Sequence, residues 1–372
     1  MARETKEGSA ARERRRRRGS ALSPRIGAYA AIGAAGVMGL ALRVAGALPT
    51  AVFLLSALAI GGLAWVVGLA TEQLGAATGP KVAGLLNVAF GNAAEVVISL
   101  FALRAGLDTL VKASLTGSIL GNILLVLGMS MFFGGLKHGE QRFSRTAAGL
   151  NASMLTIAVI GLIIPAVFAQ SIPAGDTKAV LHLSVGIAIV LVVTYVLSLV
   201  FFFRTPTAAG RTVEEAEAPS WSLAHSIAVL AIAAIALTVL SEVLVDAVQP
   251  TLKAWHLSEA FVGLIVVPIL GNVAEHLIAV QMALRNDMEF SMVVSLGSSL
   301  QVALFVAPLM VFASHAFGTP LSLVFTPLEI ITVALGVVIV TIIANDGRSN
   351  WLEGAQLIAV YLIIALAFWF YP

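Results

Sequence analysis

Glu95 and Glu275 are the residues whose type and setting most clearly call for chemistry. Each closes a five-residue stretch, Gly91-Asn92-Ala93-Ala94-Glu95 and Gly271-Asn272-Val273-Ala274-Glu275, inside a long apolar run. A charge at the centre of a membrane helix costs at least about 2.5–3.5 kcal/mol on insertion scales, so each carboxylate needs a cation, a proton or a partner. Asn and Glu three residues apart share one helical face, so Asn92 with Glu95, and Asn272 with Glu275, can each meet a single ligand. Two ionised carboxylates neutralise one dication, and two protons neutralise them equally well. Competition between a dication and protons is therefore built into the residue types. Calcium takes about six to eight oxygens and two carboxylates offer at most about four, so the rest must come from Asn amides, backbone carbonyls and water. Pro268 withdraws a hydrogen bond from the carbonyl of Leu264, which frees one such oxygen at membrane depth.

The segments that follow carry Gly117, Ser118, Gly121 and Asn122 in one place and Gly297, Ser298 and Gln301 in the other. Helix packing is the simplest account of the glycines and serines, whereas Asn122 and Gln301 could equally line an ion path. His276 either relays protons or holds its neighbouring carboxylate by a hydrogen bond. Glu72, in Thr71-Glu72-Gln73-Leu74, and Glu242, in Ser241-Glu242-Val243-Leu244, fall near the ends of apolar runs. They read as entry sites on opposite faces or as ordinary interfacial acids. Asp246, Glu259 and Glu353 are accounted for by snorkelling or helix capping.

What must position these side chains is a set of membrane helices. Of the 372 residues 59% are hydrophobic and only 11% charged, with a mean hydropathy of +0.97, which excludes an ordinary globular domain. The absence of cysteine excludes disulfides and thiolate metal sites and leaves hard oxygen ligands. Cutting the chain at charges, prolines and polar clusters gives eleven spans, near 26–47, 50–71, 79–102, 110–133, 147–169, 178–203, 222–245, 257–284, 290–315, 321–344 and 350–371. Residues 1–25 form a basic tail, and 204–221 a short acidic linker around Glu214, Glu215 and Glu217. A solvated loop suffices for those acids, with a calcium-sensing role as the sharper alternative.

Nine of the 22 Lys and Arg residues lie in the first 25 positions, a run that reads as a cytoplasmic anchor ahead of a membrane helix rather than a nucleic-acid tail. A cleaved signal ending near Ala45-Gly46-Ala47 is the competing reading. With a cytoplasmic N-terminus, seventeen Lys and Arg fall inside against five outside, which fixes the orientation. Phe368, Trp369, Phe370 and Tyr371 then form an aromatic belt on the outer face.

The motifs repeat. Sliding 91–126 onto 271–306 gives ten identities in 36 positions, at Gly91, Asn92, Ala94, Glu95, Ile98, Gly117, Ser118, Leu120, Leu124 and Val126. Apolar composition easily matches Leu and Ala, but it does not produce Gly-Asn-x-x-Glu followed 22 residues later by Gly-Ser-x-Leu. Five spans per half is an odd number, so the duplicated unit inserts upside down. The expected fold is an all-α polytopic membrane protein of about 11 transmembrane helices. It consists of one detached helix (26–47) and two inverted five-helix repeats (50–203 and 222–372), with the site between them near the midplane.

Gly91 to Glu95, Gly271 to His276, Gly117 to Leu120, Gly297 to Pro308 and Ser349 to Leu357 together resemble the calcium/cation-proton exchanger (CAX) family of the cation/calcium exchanger superfamily. The resemblance covers most of the chain. It implies a secondary active antiporter that exports cytosolic calcium against protons by alternating access, with no cofactor besides the transported ions. It implies that Glu95 and Glu275 bind both metal and proton, that Asn92 and Asn272 are supporting metal ligands, and that Glu72 and Glu242 help ions reach the site. Gly121 stands where the family pattern has Ser, so a side-chain ligand is lost there. The Ser-Pro-Glu signature of sodium/calcium exchangers is absent. The long regulatory N-terminal extension of some plant and fungal relatives is missing too, and a prokaryotic plasma membrane is the expected home. Exchange of manganese or another divalent ion fits the same oxygen donors. The inverted repeat argues against a passive channel, and Asn before each Glu argues against an intramembrane aspartyl hydrolase. Partners implied are a divalent cation, protons and the lipid bilayer, with no nucleic acid; homo-oligomerisation stays open.

Overall fold

The computed structural model describes residues 27–46, 48–173, 177–204 and 220–371. The basic tail (1–25) and nearly all of the linker (204–221) lie outside the described residues. Among the described residues, ten helices are long and apolar enough to cross a bilayer, and one bent pair makes an eleventh span. In chain order these are α1 (Gly27–Val44), α2 (Pro49–Thr78), α3 (Pro80–Phe90) with α4 (Ala93–Arg104), α5 (Asp108–His138), α6 (Arg145–Ser171), α7 (Thr177–Arg204), α8 (Leu223–Trp255), α9 (Glu259–Gly271) with α10 (Val273–Leu284), α11 (Met288–Ala316), α12 (Pro327–Ala344) and α13 (Trp351–Trp369). Spans five apart cross in opposite senses, so α2–α7 and α8–α13 are inverted five-span repeats with α1 outside both.

The core is built mainly between the halves. α2 lies along α8, α5 packs on α9, α10 and α13, and α11 packs on α6 and α7. The first helix covers the α2–α8 pair. Ile32 sits on Gly62, where a Cβ would approach within 2.3 Å, and Tyr29 stacks on Trp65 with centroids 5.7 Å apart. Arg43, the charge that weakens this span in the sequence, forms an ion pair with Asp246 of α8. Asp246 is therefore an inter-helix partner, not a snorkelling or capping acid. Glu353 does cap, in a box with Asn350, and Glu259 accepts from Gln249.

Two helices run further than their apolar runs suggested. α2 continues to Thr78 and α8 to Trp255, so Glu72 and Glu242 lie within helices instead of at their ends. Charges at 72 and 242 look like stop signals, yet each projects from an exposed face that leaves the helix intact. α12 begins at Pro327, not near 321, because the preceding stretch is held as an irregular plug. Leu321, Leu323 and Phe325 are buried, Ser314 and Ser184 hydroxyls accept from the amides of Leu321 and Leu323, and Lys112 donates to the carbonyl of Val324.

The duplication is visible as a shared irregularity. α5 carries a π-helical stretch at Gly121–Val126 and α11 one at Val302–Val306, positions that coincide at the sequence offset of the motifs. Such stretches widen a helix by one residue per turn and recur at functional sites. At the end of the bundle where α5 finishes and α6 begins, strand β1 (Gln141–Arg142) pairs antiparallel with β2 (Arg348–Ser349), which joins α12 to α13. We call this the ribbon face.

Candidate cation site

The two motifs form helix breaks. Asn92 (φ −109°, ψ 34°) separates α3 from α4, and Asn272 (φ −102°, ψ 14°) separates α9 from α10. Each Glu then sits in the first turn of the following half-helix, where unpaired N–H groups and the helix dipole favour a negative charge. Glu95 is 1% exposed and neither of its oxygens accepts a hydrogen bond from another residue. Glu275 is partly buried, with Oε2 fully enclosed and unpartnered. The two carboxylates are close enough to feel one another's charge. The Glu95 carboxylate also lies directly on the other motif: a Cβ on Gly271 would come within 2.7 Å of Oε1. Glycine at 271 is what permits this approach.

Around them is a shell of buried amides and hydroxyls. Asn122 Nδ2 donates to Ser298 Oγ at 2.9 Å, and Ser298 Oγ donates to Asn92 Oδ1 at 3.3 Å, while the Ser298 hydroxyl also faces Glu275. Both side-chain atoms of Asn272 are enclosed without a protein partner, and so are the hydroxyl of Ser118 and Nε2 of His276. Gln301 does something the sequence did not suggest. Its Nε2 donates to the carbonyls of Asn87 and Val88, at 3.2 and 2.8 Å, and so caps the broken end of α3. Among the described residues no group of three or more carboxylate or imidazole side chains converges, so a cation here would rely on amide, hydroxyl and backbone oxygens besides the two glutamates.

The structure thus brings Glu95, Glu275, Asn92, Asn122 and Ser298 together, with Gln301 on the adjacent helix end. Asn272, Ser118 and His276 are present as enclosed polar groups without bonds. Glu72 and Glu242 are exposed on α2 and α8, whereas their neighbours Thr71 and Ser241 are buried with unpartnered hydroxyls. Sequence reasoning fixed on the acids and passed over these hydroxyls. It also missed Ser99, buried and unpartnered one turn after Glu95; its i+4 spacing from Glu95 was the available signal. Glu329, 4% exposed, was missed as well. It is held in a capping box with Thr326 and interacts with Lys112, so it serves the fold.

The half-helices leading to the two sites differ. α9 is bent 63° from α10, contains a π-helical stretch at Val262–Val266 ahead of Pro268, and is buried against α5. The Leu264 carbonyl, expected to turn toward an ion, instead abuts Gly117, where a Cβ would stand 2.1 Å from the oxygen. α3 has no π-helical stretch and packs chiefly on α2, and none of its described side chains is buried. At Gly297, the counterpart of Gly117, nothing lies within 4 Å of an added Cβ.

This arrangement of two broken spans from inverted halves has known counterparts. The sequence matches the family described as sodium/calcium exchanger protein over residues 48–204 and 225–370. The chain belongs to the sodium/calcium exchanger protein family. As a member of this exchanger family it is an integral membrane transporter rather than an enzyme. It is 44% identical to the Ca(2+)/H(+) antiporter ChaA of Bacillus subtilis over 89% of this chain and 96% of that protein. It is 42% identical to the Ca(2+)/H(+) antiporter of a Synechocystis strain over 87% of this chain and 92% of the relative. The solved structure of native YfkE superimposes with a TM-score of 0.81 at 37% identity, covering 92% of this chain and 99% of that one.

Proposed function

We propose that the chain is a secondary active antiporter that exports calcium from the cytosol in exchange for protons by alternating access. The observation that carries this reading is the convergence of Glu95 and Glu275, one from each inverted half: the Glu95 carboxylate lies on Gly271 of the other motif, and neither its oxygens nor Oε2 of Glu275 accept a hydrogen bond from another residue. Two enclosed carboxylates side by side repel one another when both are ionised, and either a dication or two protons relieves that repulsion. A site charged with neither is disfavoured, so the protein would cross between its two states only when loaded with one cargo or the other. Strict alternation of this kind couples calcium efflux to proton entry, with two protons per calcium by charge arithmetic.

In this reading Asn92 and Asn272 add neutral oxygens to the cation shell, and Ser298 with Asn122 orients Asn92. Ser118 and Gln301 would line the path, His276 would relay a proton, and Glu72 and Glu242 would attract cations at opposite faces. The ribbon face carries Lys137, Arg142, Arg145 and Arg348 and is assigned to the cytosol, which puts the N-terminus there as well. The thinly covered α3 would then be the cytosolic arm, in a prokaryotic plasma membrane. The naming of ChaA, the Synechocystis relative and YfkE as Ca2+/H+ antiporters supports calcium as cargo.

The test is uptake by proteoliposomes under an imposed pH gradient, with calcium, manganese and other divalent ions compared. Calcium accumulation that collapses when the pH gradient is dissipated is expected. Flux that ignores the pH gradient would overturn antiport, and manganese outcompeting calcium would reassign the cargo.

A further inference from the structure

On the ribbon face, away from the glutamates, α6 and α12 part to leave a groove of about 490 Å³ lined by Arg145, Gly149, Ser153, Thr156, Thr341 and Asn345 among others. The volume lies in the about 300–1,000 Å³ range of small-ligand sites. Gly149, Ser153, Thr156 and Thr341 are exposed, so the groove opens sideways, toward where lipid surrounds the bundle. It runs from Arg145 to Ile157, about 18 Å along α6 at the usual helical rise. That is close to one leaflet of a hydrocarbon layer about 30 Å thick.

The chemistry changes along its length. At the mouth, Arg145 donates from Nη2 to Asn345 Oδ1 at 3.1 Å and has no carboxylate partner among the described residues. Of the nearby charges, Glu140 pairs with Arg348 and Arg142, while Asp346 accepts from the backbone amide of Arg348. Deeper in, the hydroxyls of Ser153, Thr156 and Thr341 donate to the carbonyls of Leu150, Ala152 and Val337. Their polarity is spent on their own helices, so the wall is effectively apolar. Nothing lies within 4 Å of a Cβ built on Gly149. The β1–β2 ribbon and the bond from the amide of Phe143 to the carbonyl of Gly347 hold the two helix ends in place around the mouth.

We propose that this groove is a binding site for one anionic glycerophospholipid, its phosphate held by Arg145 beside Asn345 and one acyl chain lying against Gly149, Ser153 and Thr156. A guanidinium with free donors at the headgroup level matches a lipid phosphate in charge and geometry. The net positive charge of an anionic lipid's pocket, not apolar contact alone, sets the preference over zwitterionic lipid. The groove shares no residue with the cation site.

The test is native mass spectrometry of the purified full chain titrated with phosphatidylglycerol or phosphatidylcholine, with Arg145→Gln and Gly149→Phe as variants. Wild type is expected to retain one phosphatidylglycerol in preference to phosphatidylcholine. Arg145→Gln should reduce that preference about fivefold, the effect of one basic side chain at an anionic lipid surface. Gly149→Phe should remove the bound lipid of either kind, because a Cβ there meets open space and the ring is placed in the groove. Calcium uptake in phosphatidylcholine vesicles reports that both variants fold. Equal retention of the two lipids by wild type, or unchanged lipid retention in both variants, would overturn the proposal. So would a Gly149→Phe variant that changes the oligomeric state while still holding its lipid, since the groove would then be a contact between copies.

Discussion

The two copies of the Gly-Asn-x-x-Glu motif share their residues but not their surroundings. Asn92 is tied through Ser298 to Asn122, and the end of α3 is capped by Gln301, while α3 itself is thinly covered. The Asn272 side chain has no protein bonds, and α9 leading to it is bent, π-helical and buried against α5. Two copies of one motif in inverted halves can exchange conformations only if the difference between them is small in energy. Exchanging the two conformations is then the simplest way for a site to face one side and then the other. The asymmetry has local chemical causes: Pro268 has Val88 as its counterpart, and Gln301 has Gly121.

The sharpest test of equivalence at the centre is Glu95→Gln against Glu275→Gln. Both should reduce pH-driven calcium uptake in proteoliposomes to background while the purified proteins keep the elution profile of the parent. A mutant with normal uptake would show that the copies do not share one site. Next comes the glycine pair. Gly117→Ala places a methyl group on the Leu264 carbonyl, and overpacking of that kind costs about 1–3 kcal/mol, read as a lowered melting temperature in detergent. Gly297→Ala meets open space and should leave the melting temperature unchanged, yet slow turnover, because exchanging conformations would close the helix onto that methyl. Full turnover in Gly297→Ala would argue that the two halves do not trade shapes.

Gly271→Ala pushes on the Glu95 carboxylate and should raise the half-saturating calcium concentration by about tenfold, equivalent to roughly 1.4 kcal/mol. Calcium titration of transport rates decides it, and an unchanged value would show that Glu95 can bind from another rotamer. Gln301→Leu removes two bonds from the end of α3, each worth about 0.5–1.5 kcal/mol net, and should lower the melting temperature and change the transport rate several-fold. The smallest effect belongs to Arg43→Ala. An exposed ion pair is worth about 0–1 kcal/mol, so separating α1 from Asp246 should barely move the melting temperature.

Much of this was legible because membranes simplify sequence. Eleven spans, the inverted duplication and the two glutamates follow from apolar length, an odd helix count and the cost of a buried charge. Helix ends were less legible. Glu72 and Glu242 looked terminal because charge marks span limits, yet both project outward from helices that continue past them. The plug before α12 was read as helix because Leu321, Leu323 and Phe325 are apolar, and only tertiary bonds from Ser184, Ser314 and Lys112 reveal an irregular chain. At the site, Pro268 correctly announced a disturbed helix, but the sequence could not say that Gly117 would receive the Leu264 carbonyl. That contact joins residues almost 150 positions apart, and no local pattern records it.

The far end of α10 is also gripped by another span. Gln141 Nε2 donates to the carbonyl of Ala283 at 2.9 Å and to Asn286 Oδ1 at 3.0 Å, Lys137 Nζ donates to the carbonyl of Leu284 at 2.8 Å, and a ring nitrogen of His138 lies 2.9 Å from the same oxygen. Three side chains from the end of α5 and β1 thus hold the last carbonyls of α10. Mechanically, α10 is a beam built in at one end, with Asn272 as the pin at the other. A turning moment arriving at Asn272 would rotate the lever α9 while the beam holds Glu275 still.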